Sequence, residues 1–133
     1  MGEKWRKKMT AQDIHQRVLR LFIWTPDQIQ YGAWDHWTSH ADAIERGEII
    51  RDDCDGFAMT CAELAVRAGI EKSAIRLATC SVETGEYHCV AIVSGWALDN
   101  RERRAKVWGT LPYHWRASMK LSDPGIWRGM NQP

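Results

Sequence analysis

Cys54, His88 and Asp99 have the side-chain types that thiol catalysis requires. A cysteine becomes an effective nucleophile when a neighbouring base takes its proton and a third group orients that base. The three residues are 34 and 11 positions apart. Such chemistry is therefore available only if the fold brings a helix and two strands together.

Cys54 stands at the start of a segment whose pattern predicts a buried helix. Asp52 or Asp53 can accept the free N–H groups at the helix start, and Gly69 follows as a stop. A thiol in the first turn lies at the positive end of the helix dipole, where thiol pKa values fall. The apolar positions that recur every three or four residues are Phe57, Ala58, Cys61, Leu64, Ala65 and Ala68.

His88 lies in a run of β composition, residues 87–93, and alternates with Val90 and Ile92. The next short run ends in Asp99 and Asn100, and a tight turn at 94–95 would place the two strands side by side. Adjacent strand residues point to opposite faces, so one of Asp99 and Asn100 can meet His88. His114 is the best rival base, whereas His36 and His40 fit less well.

These motifs resemble the bacterial transglutaminase-like cysteine proteinase family, LapG-type members included, over roughly residues 27–100. The layout of cysteine helix, histidine strand and acid strand is that of papain-like and transglutaminase-like enzymes. The resemblance implies Cys54 as nucleophile, His88 as base and Asp99 as the orienting acid. The motifs that carry it are Asp53-Cys54-Asp55 with Phe57, Thr84-Gly85-Glu86-Tyr87-His88, Leu98-Asp99-Asn100, Ile29-Gln30-Tyr31, Asp35-His36-Trp37 and Ala43-Ile44-Glu45-Arg46-Gly47.

Carboxylates flank the cysteine and oppose the helix dipole, because Asp52, Asp53 and Asp55 raise the pKa of a nearby thiol. LapG-type members hold calcium beside the cysteine, and the resemblance implies a site here at Asp35, Asp53 and Asp55, with the Trp37 carbonyl. The chemistry itself requires no cofactor. An alternative has Asp52 and Asp53 only capping the helix while Asp55 pairs with Arg51 or Lys72. Asp55 and Gly56 stand where family members commonly carry Glu and a second acid.

An oxyanion hole needs donors aimed at the developing charge. The backbone N–H of Cys54 is one candidate, and the Trp37 region or Gln30 would supply the second. Asn100 is a further secondary candidate beside Asp99.

The resulting functional hypothesis is a thiol hydrolase that cleaves a peptide or amide bond in a protein substrate. Two alternatives remain open at this stage: acyl transfer or glutamine deamidation by the same triad, and a non-catalytic calcium-binding module. Substrate sequence and oligomeric state are not encoded in any recognisable motif.

Composition excludes several other classes. A net charge of +1 over 133 residues gives no electrostatic case for nucleic acid, and no apolar run reaches membrane-spanning length. Residues 1–10 are basic with no apolar stretch after them, so we expect no secretory signal. A cytoplasmic or phage-associated protein is therefore favoured over a periplasmic one.

Helices followed by strands predict an α+β fold with the cysteine helix packed on an antiparallel sheet. We expect a single domain over residues 11–125, between a flexible N-terminus (1–10) and a C-terminal tail (126–133). Its first helix would span 11–24 with His15 on the polar side, and a short helix would end at Gly47. Strands are expected at 75–82, 87–93, 96–100, 106–108 and 113–119. Cys80 and Cys89 would lie on neighbouring strands, where a disulfide is possible but reduced packing is favoured.

Overall fold

The helices come before a six-stranded antiparallel sheet in residues 9–26 and 39–133, which the computed structural model describes. This order confirms the predicted α+β class. The helices are α1 (Ala11–Leu19), α2 (Ala41–Glu45) and α3 (Cys54–Arg67). The strands are β1 (Phe22–Trp24), β2 (Ile50–Asp52), β3 (Ile75–Ser81), β4 (Tyr87–Val93), β5 (Trp96–Leu98), β6 (Lys106–Val107), β7 (His114–Lys120) and β8 (Trp127–Gly129).

The main sheet has the strand order β6-β5-β4-β3-β7-β8, and α3 packs on β4 and β3. Because side chains alternate across a strand, β4 contributes to a separate core on each face. Cys89, Ala91 and Val93 pack with α3, while Val90 and Ile92 join the core on the opposite face. The sheet is therefore covered on both sides, and β4 is shared by the two cores.

Helix α1 begins with a capping box, in which Thr10 and Asp13 each bond the backbone N–H of the other. The prediction that this helix continues to residue 24 is wrong, because it ends at Leu19. Residues Phe22–Trp24 instead form β1, parallel to β2. Aromatic and β-branched residues favour a strand, and pairing with β2 gives the backbone of this segment hydrogen-bond partners outside the helix.

The segment expected as a C-terminal tail also carries structure. β8 pairs with β7, and the Gln132 side chain bonds both the N–H and the carbonyl of Trp115, at 2.9 and 2.7 Å. All three β8 residues are exposed, so no apolar alternation in the sequence marks this strand. Backbone pairing alone identifies it.

No helix within the described ranges combines the length and the apolar character needed to cross a bilayer. The aromatic stretch 27–38, with Gln30, Asp35 and Trp37, lies outside the described residues.

Candidate active site

Helix α3 begins at Cys54, and its first turn is held by two aspartates with different tasks. Asp53 is the N-cap, and its Oδ1 accepts from the N–H groups of Asp55 and Gly56 at 3.0 and 3.2 Å. The buried Asp52 carboxylate accepts from the Asp53 N–H at 2.8 Å and contacts His40 Nε2 at 2.7 Å. Of the two capping candidates, Asp53 therefore caps the helix.

Gly56 is required by this arrangement. A Cβ at position 56 would lie 2.0 Å from Asp52 Cγ, far inside van der Waals contact. The first turn of α3 thus passes so close to Asp52 that no side chain fits there.

The half-buried Cys54 thiol lies in an acidic environment. Its Sγ is 3.9 Å from Asp55 Oδ1, and burial followed by the Asp55 charge raises the pKa of the thiol well above its ordinary value. The backbone N–H of Cys89 acts in the opposite direction. The resting cysteine is accordingly a neutral thiol in the absence of added positive charge.

Asp55 is buried and accepts a hydrogen bond from the Tyr87 hydroxyl at 2.9 Å. Burial raises the pKa of Asp55 to about 6, the Tyr87 hydrogen bond opposes the increase, and the Asp53 charge adds to it. The partner of Asp55 is therefore Tyr87 rather than Arg51 or Lys72, which corrects that alternative.

His88 and Asp99 form a buried hydrogen-bonded pair. Nε2 of His88 is 2.7 Å from Asp99 Oδ1, and the two residues are 4% and 0% exposed. Asp99 Oδ1 also accepts from the Arg101 backbone N–H at 2.9 Å, and its Oδ2 accepts from the Tyr113 hydroxyl at 2.5 Å. Burial would raise the pKa of Asp99, but the bonds from His88 and Tyr113 outweigh it and hold the pKa below the usual value.

This set of donors fixes the tautomer of His88. An ionised carboxylate only accepts hydrogen bonds, so the proton between the two side chains belongs to Nε2. In a neutral imidazole with a proton on Nε2, the other nitrogen, Nδ1, carries a lone pair. His88 is thus prepared to accept a proton at Nδ1.

Cys54 and His88 line the same cavity, whose volume is about 540 Å³. Asn100 lines it too. Trp24, Pro26 and Val82 supply an apolar part of the wall. The rival His114 is exposed on β7, and His40 is bonded to Asp52.

Of the proposed metal ligands, Asp53 and Asp55 lie beside Cys54, while Asp35 is outside the described residues. Across residues 9–26 and 39–133, no three His, Cys, Asp or Glu side chains converge as a metal site would require. The oxyanion candidates Trp37 and Gln30 are likewise outside the described part. The cysteines are all free.

Two residues that support Asp99 are absent from the sequence-based candidates. His15 was expected on the polar side of α1, which is wrong: it is fully buried, and its Nε2 lies 2.9 Å from the Asp99 carbonyl oxygen. Burial lowers the pKa of His15. Its spacing from Ala11 and Val18 does match the buried stripe of the helix, so a signal existed. Tyr113 has no comparable local signal, because its partner is 14 positions away.

Comparison with solved structures shows that the fold is shared with known proteins. Three structures of Legionella pneumophila LapG resemble the chain. The first matches with a TM-score of 0.62 and 21% identity over 86% of this chain and 67% of that one. An EGTA-treated form gives 0.68 and 18% over 91% and 66%, and a calcium-bound form gives 0.66 and 19% over 96% and 74%.

A search of curated proteins found no significant match. A family model described as bacterial transglutaminase-like cysteine proteinase matches residues 3–133. The resemblance noted in the sequence is thereby confirmed, and the chain belongs to the bacterial transglutaminase-like cysteine proteinases, a family of cysteine peptidases and hence of hydrolases.

Proposed function

We propose that the chain hydrolyses a peptide or amide bond in a protein substrate, with Cys54 as nucleophile, His88 as general base and Asp99 as the residue that orients the base. The observation that carries this proposal is the buried His88–Asp99 pair beside a cavity that also contains Cys54. Nucleophile, base and orienting acid all then have a candidate in one place.

The protonation states of Cys54 and His88 determine the order of the proposed steps. Because the resting thiol is neutral, His88 Nδ1 takes the Sγ proton as the sulfur attacks the substrate carbonyl carbon. The imidazolium then gives that proton to the leaving amine, which departs from the tetrahedral intermediate. Water, deprotonated by the same nitrogen, hydrolyses the thioester and restores Cys54.

The oxyanion would be stabilised at the start of α3. Asp53 accepts from the N–H groups of Asp55 and Gly56, and we assign the preceding N–H, that of Cys54, to the developing charge. Asn100 lines the same cavity and is the candidate for the second donor. Gln30 and Trp37 remain predictions for this role.

Calcium is a second part of the proposal. One of the similar LapG structures is calcium-bound, and Asp53 and Asp55 offer the hard oxygen ligands that calcium prefers. The negative charges of Asp52 and Asp53 contribute to the raised pKa of Asp55. A bound cation would offset this repulsion between carboxylates. Calcium bound there would supply positive charge that lowers the thiol pKa. Asp35 and the Trp37 carbonyl would complete the ligand set.

The catalytic assignment is tested with a mixture-based peptide library and mass-spectrometric detection of products. Cys54→Ala should abolish cleavage, while Cys61→Ala, seven residues further along α3, should retain it. Cleavage by Cys54→Ala at the unaltered rate would end the proposal. Adding a labelled primary amine tests acyl transfer, because hydrolysis leaves no label on the substrate.

The calcium assignment is tested by calorimetric titration with CaCl2. Asp53→Asn preserves the capping oxygen but removes a charge, whereas Asp53→Ala removes both. We expect weaker calcium binding in both variants and loss of thermal stability without calcium only in Asp53→Ala. Equal calcium affinity in Asp53→Asn and the unmodified chain would contradict the assignment.

A further inference from the structure

We propose that Tyr113 is a positioning residue for catalysis, whose hydroxyl holds the Asp99 carboxylate in the orientation that aims the imidazole of His88. The inference rests on the proposed function of the His88–Asp99 pair. It concerns the carboxylate oxygen that His88 does not use: Tyr113 donates to Oδ2 at 2.5 Å, while His88 contacts Oδ1. A carboxylate held at both oxygens cannot rotate about its own axis.

The direction of the Tyr113 hydrogen bond is fixed by Arg101. Nη1 of Arg101 donates to the Tyr113 oxygen at 3.1 Å, and a guanidinium has no acceptor atom. The single hydroxyl proton of Tyr113 must therefore point to Asp99. Arg101 also donates its backbone N–H to Asp99 Oδ1, so one residue contacts both Asp99 and the group that holds it.

Arg101, which also lines the cavity, is itself held by the turn between β3 and β4. Its guanidinium forms an ion pair with Glu83 at 2.8 Å and lies 5.5 Å from the centre of the Tyr113 ring. Glu83 belongs to the turn between β3 and β4, five residues before His88. The chain Glu83–Arg101–Tyr113–Asp99 thus links the turn that precedes the histidine strand to the carboxylate that the histidine contacts.

The Tyr113 ring makes a second contribution. It meets the His88 imidazole edge to face, with centroids 5.6 Å apart and planes at 81°, and it packs against Trp115. The ring limits tilting of the imidazole, and the hydroxyl limits rotation of the carboxylate. Removing only the hydroxyl separates the two effects.

Tyr113→Phe is the decisive variant, because it retains the ring and deletes the oxygen. We expect kcat for the library-derived peptide to fall about tenfold, since a hydrogen bond to a charged group is lost where alignment matters, with KM unchanged. The Nε2 proton that His88 shares with Asp99 should appear as a far-downfield ¹H NMR signal, assigned by its loss in His88→Gln. In Tyr113→Phe that signal should shift or exchange faster with water.

Tyr87→Phe is the matched control, because it also removes a phenol–carboxyl hydrogen bond, the one to Asp55. It should leave the His88 signal in place. Arg101→Met is the second variant: its side chain is partly exposed, and its loss should shift the same signal by a smaller amount without threatening the fold.

A His88 signal that is unchanged in both Tyr113→Phe and Arg101→Met overturns the proposal, as does an unchanged kcat in Tyr113→Phe. The NMR measurement needs no turnover. Failure of the proposed peptidase function, seen as full activity of Cys54→Ala, is therefore distinguishable from failure of the positioning role.

Discussion

Replacing Asp99 with Asn changes one oxygen to an NH2 group at a point where donors from three residues converge. His88, Arg101 and Tyr113 all donate to this carboxylate. The amide oxygen can replace Oδ1, which receives two of the three bonds. The NH2 group then faces the Tyr113 hydroxyl, whose proton loses its acceptor.

This difference in partners predicts that Tyr113→Phe costs less stability in the Asp99→Asn background than in the unmodified chain, which a double-mutant cycle measures. In the unmodified chain, Tyr113→Phe removes a hydrogen bond to a charged group and should lower the free energy of unfolding by about 1.5–3 kcal/mol. In the Asp99→Asn background the phenol oxygen can instead accept from the NH2 group, a bond between neutral groups, so the same substitution should cost less, about 0.5–1.5 kcal/mol. The bond from Arg101 to the phenol oxygen is lost in both backgrounds and cancels.

Asp99→Asn should also reduce activity while preserving the His88 tautomer. In the proposed mechanism, the His88 imidazolium that forms during attack would lose its charged partner, an interaction worth up to about 4 kcal/mol at an effective dielectric constant of 20. We therefore expect kcat/KM to fall by roughly 100- to 1,000-fold.

The assay is urea unfolding of the four proteins followed by tryptophan fluorescence, with kcat/KM measured on the same samples. Asp123→Asn, in the turn between β7 and β8, is the control for the chemical change alone and should match the unmodified chain. Equal destabilisation by Tyr113→Phe in both backgrounds would refute the reasoning about the hydroxyl proton.

Three further predictions concern stability. Gly56→Ala should destabilise the fold by about 3 kcal/mol, because its Cβ would overlap Asp52, and thermal unfolding checks it. Asp53→Ala should cost about 1 kcal/mol through the lost N-cap, and comparison with Asp53→Asn in urea isolates the cap. Burial lowers the pKa of His15 from 6.5, so its contribution to stability is present above pH 6.5 and is lost as the pH falls below it. His15→Gln, which can still donate to the Asp99 carbonyl, should flatten that acid dependence in unfolding measured from pH 7 to pH 5.

Local patterns in the sequence predicted the elements that carry the site. Helical periodicity and a capping aspartate located α3 with Cys54 in its first turn, as the structure has it. Alternation with Val90 and Ile92 placed His88 on an apolar face of β4. Because Asp99 and Asn100 are adjacent in the sequence, only one of them was expected to contact the His88 imidazole, and Asp99 is the one that does.

The parts that escaped prediction depend on partners distant in the chain. Tyr113 is identified only when the segment before β7 meets Asp99 in the folded chain, and β1 is a strand only because β2 pairs with it. The exposed strand β8 has no apolar pattern at all. The prediction for His15 was wrong for a different reason. Histidine is a polar residue type, which favoured an exposed position, although its spacing along the helix indicated burial.

The two cores that meet at β4 affect how the candidate site responds to heating. Cys54 packs with the core beneath α3, whereas His88 contacts Tyr113, a member of the core on the far face. Sulfur and imidazole are thus held by separate packing units, joined through one strand. Loosening either unit would displace the Cys54 sulfur relative to the His88 imidazole while the other unit stays intact. If these two groups react as proposed, gentle heating should abolish activity before the chain as a whole unfolds.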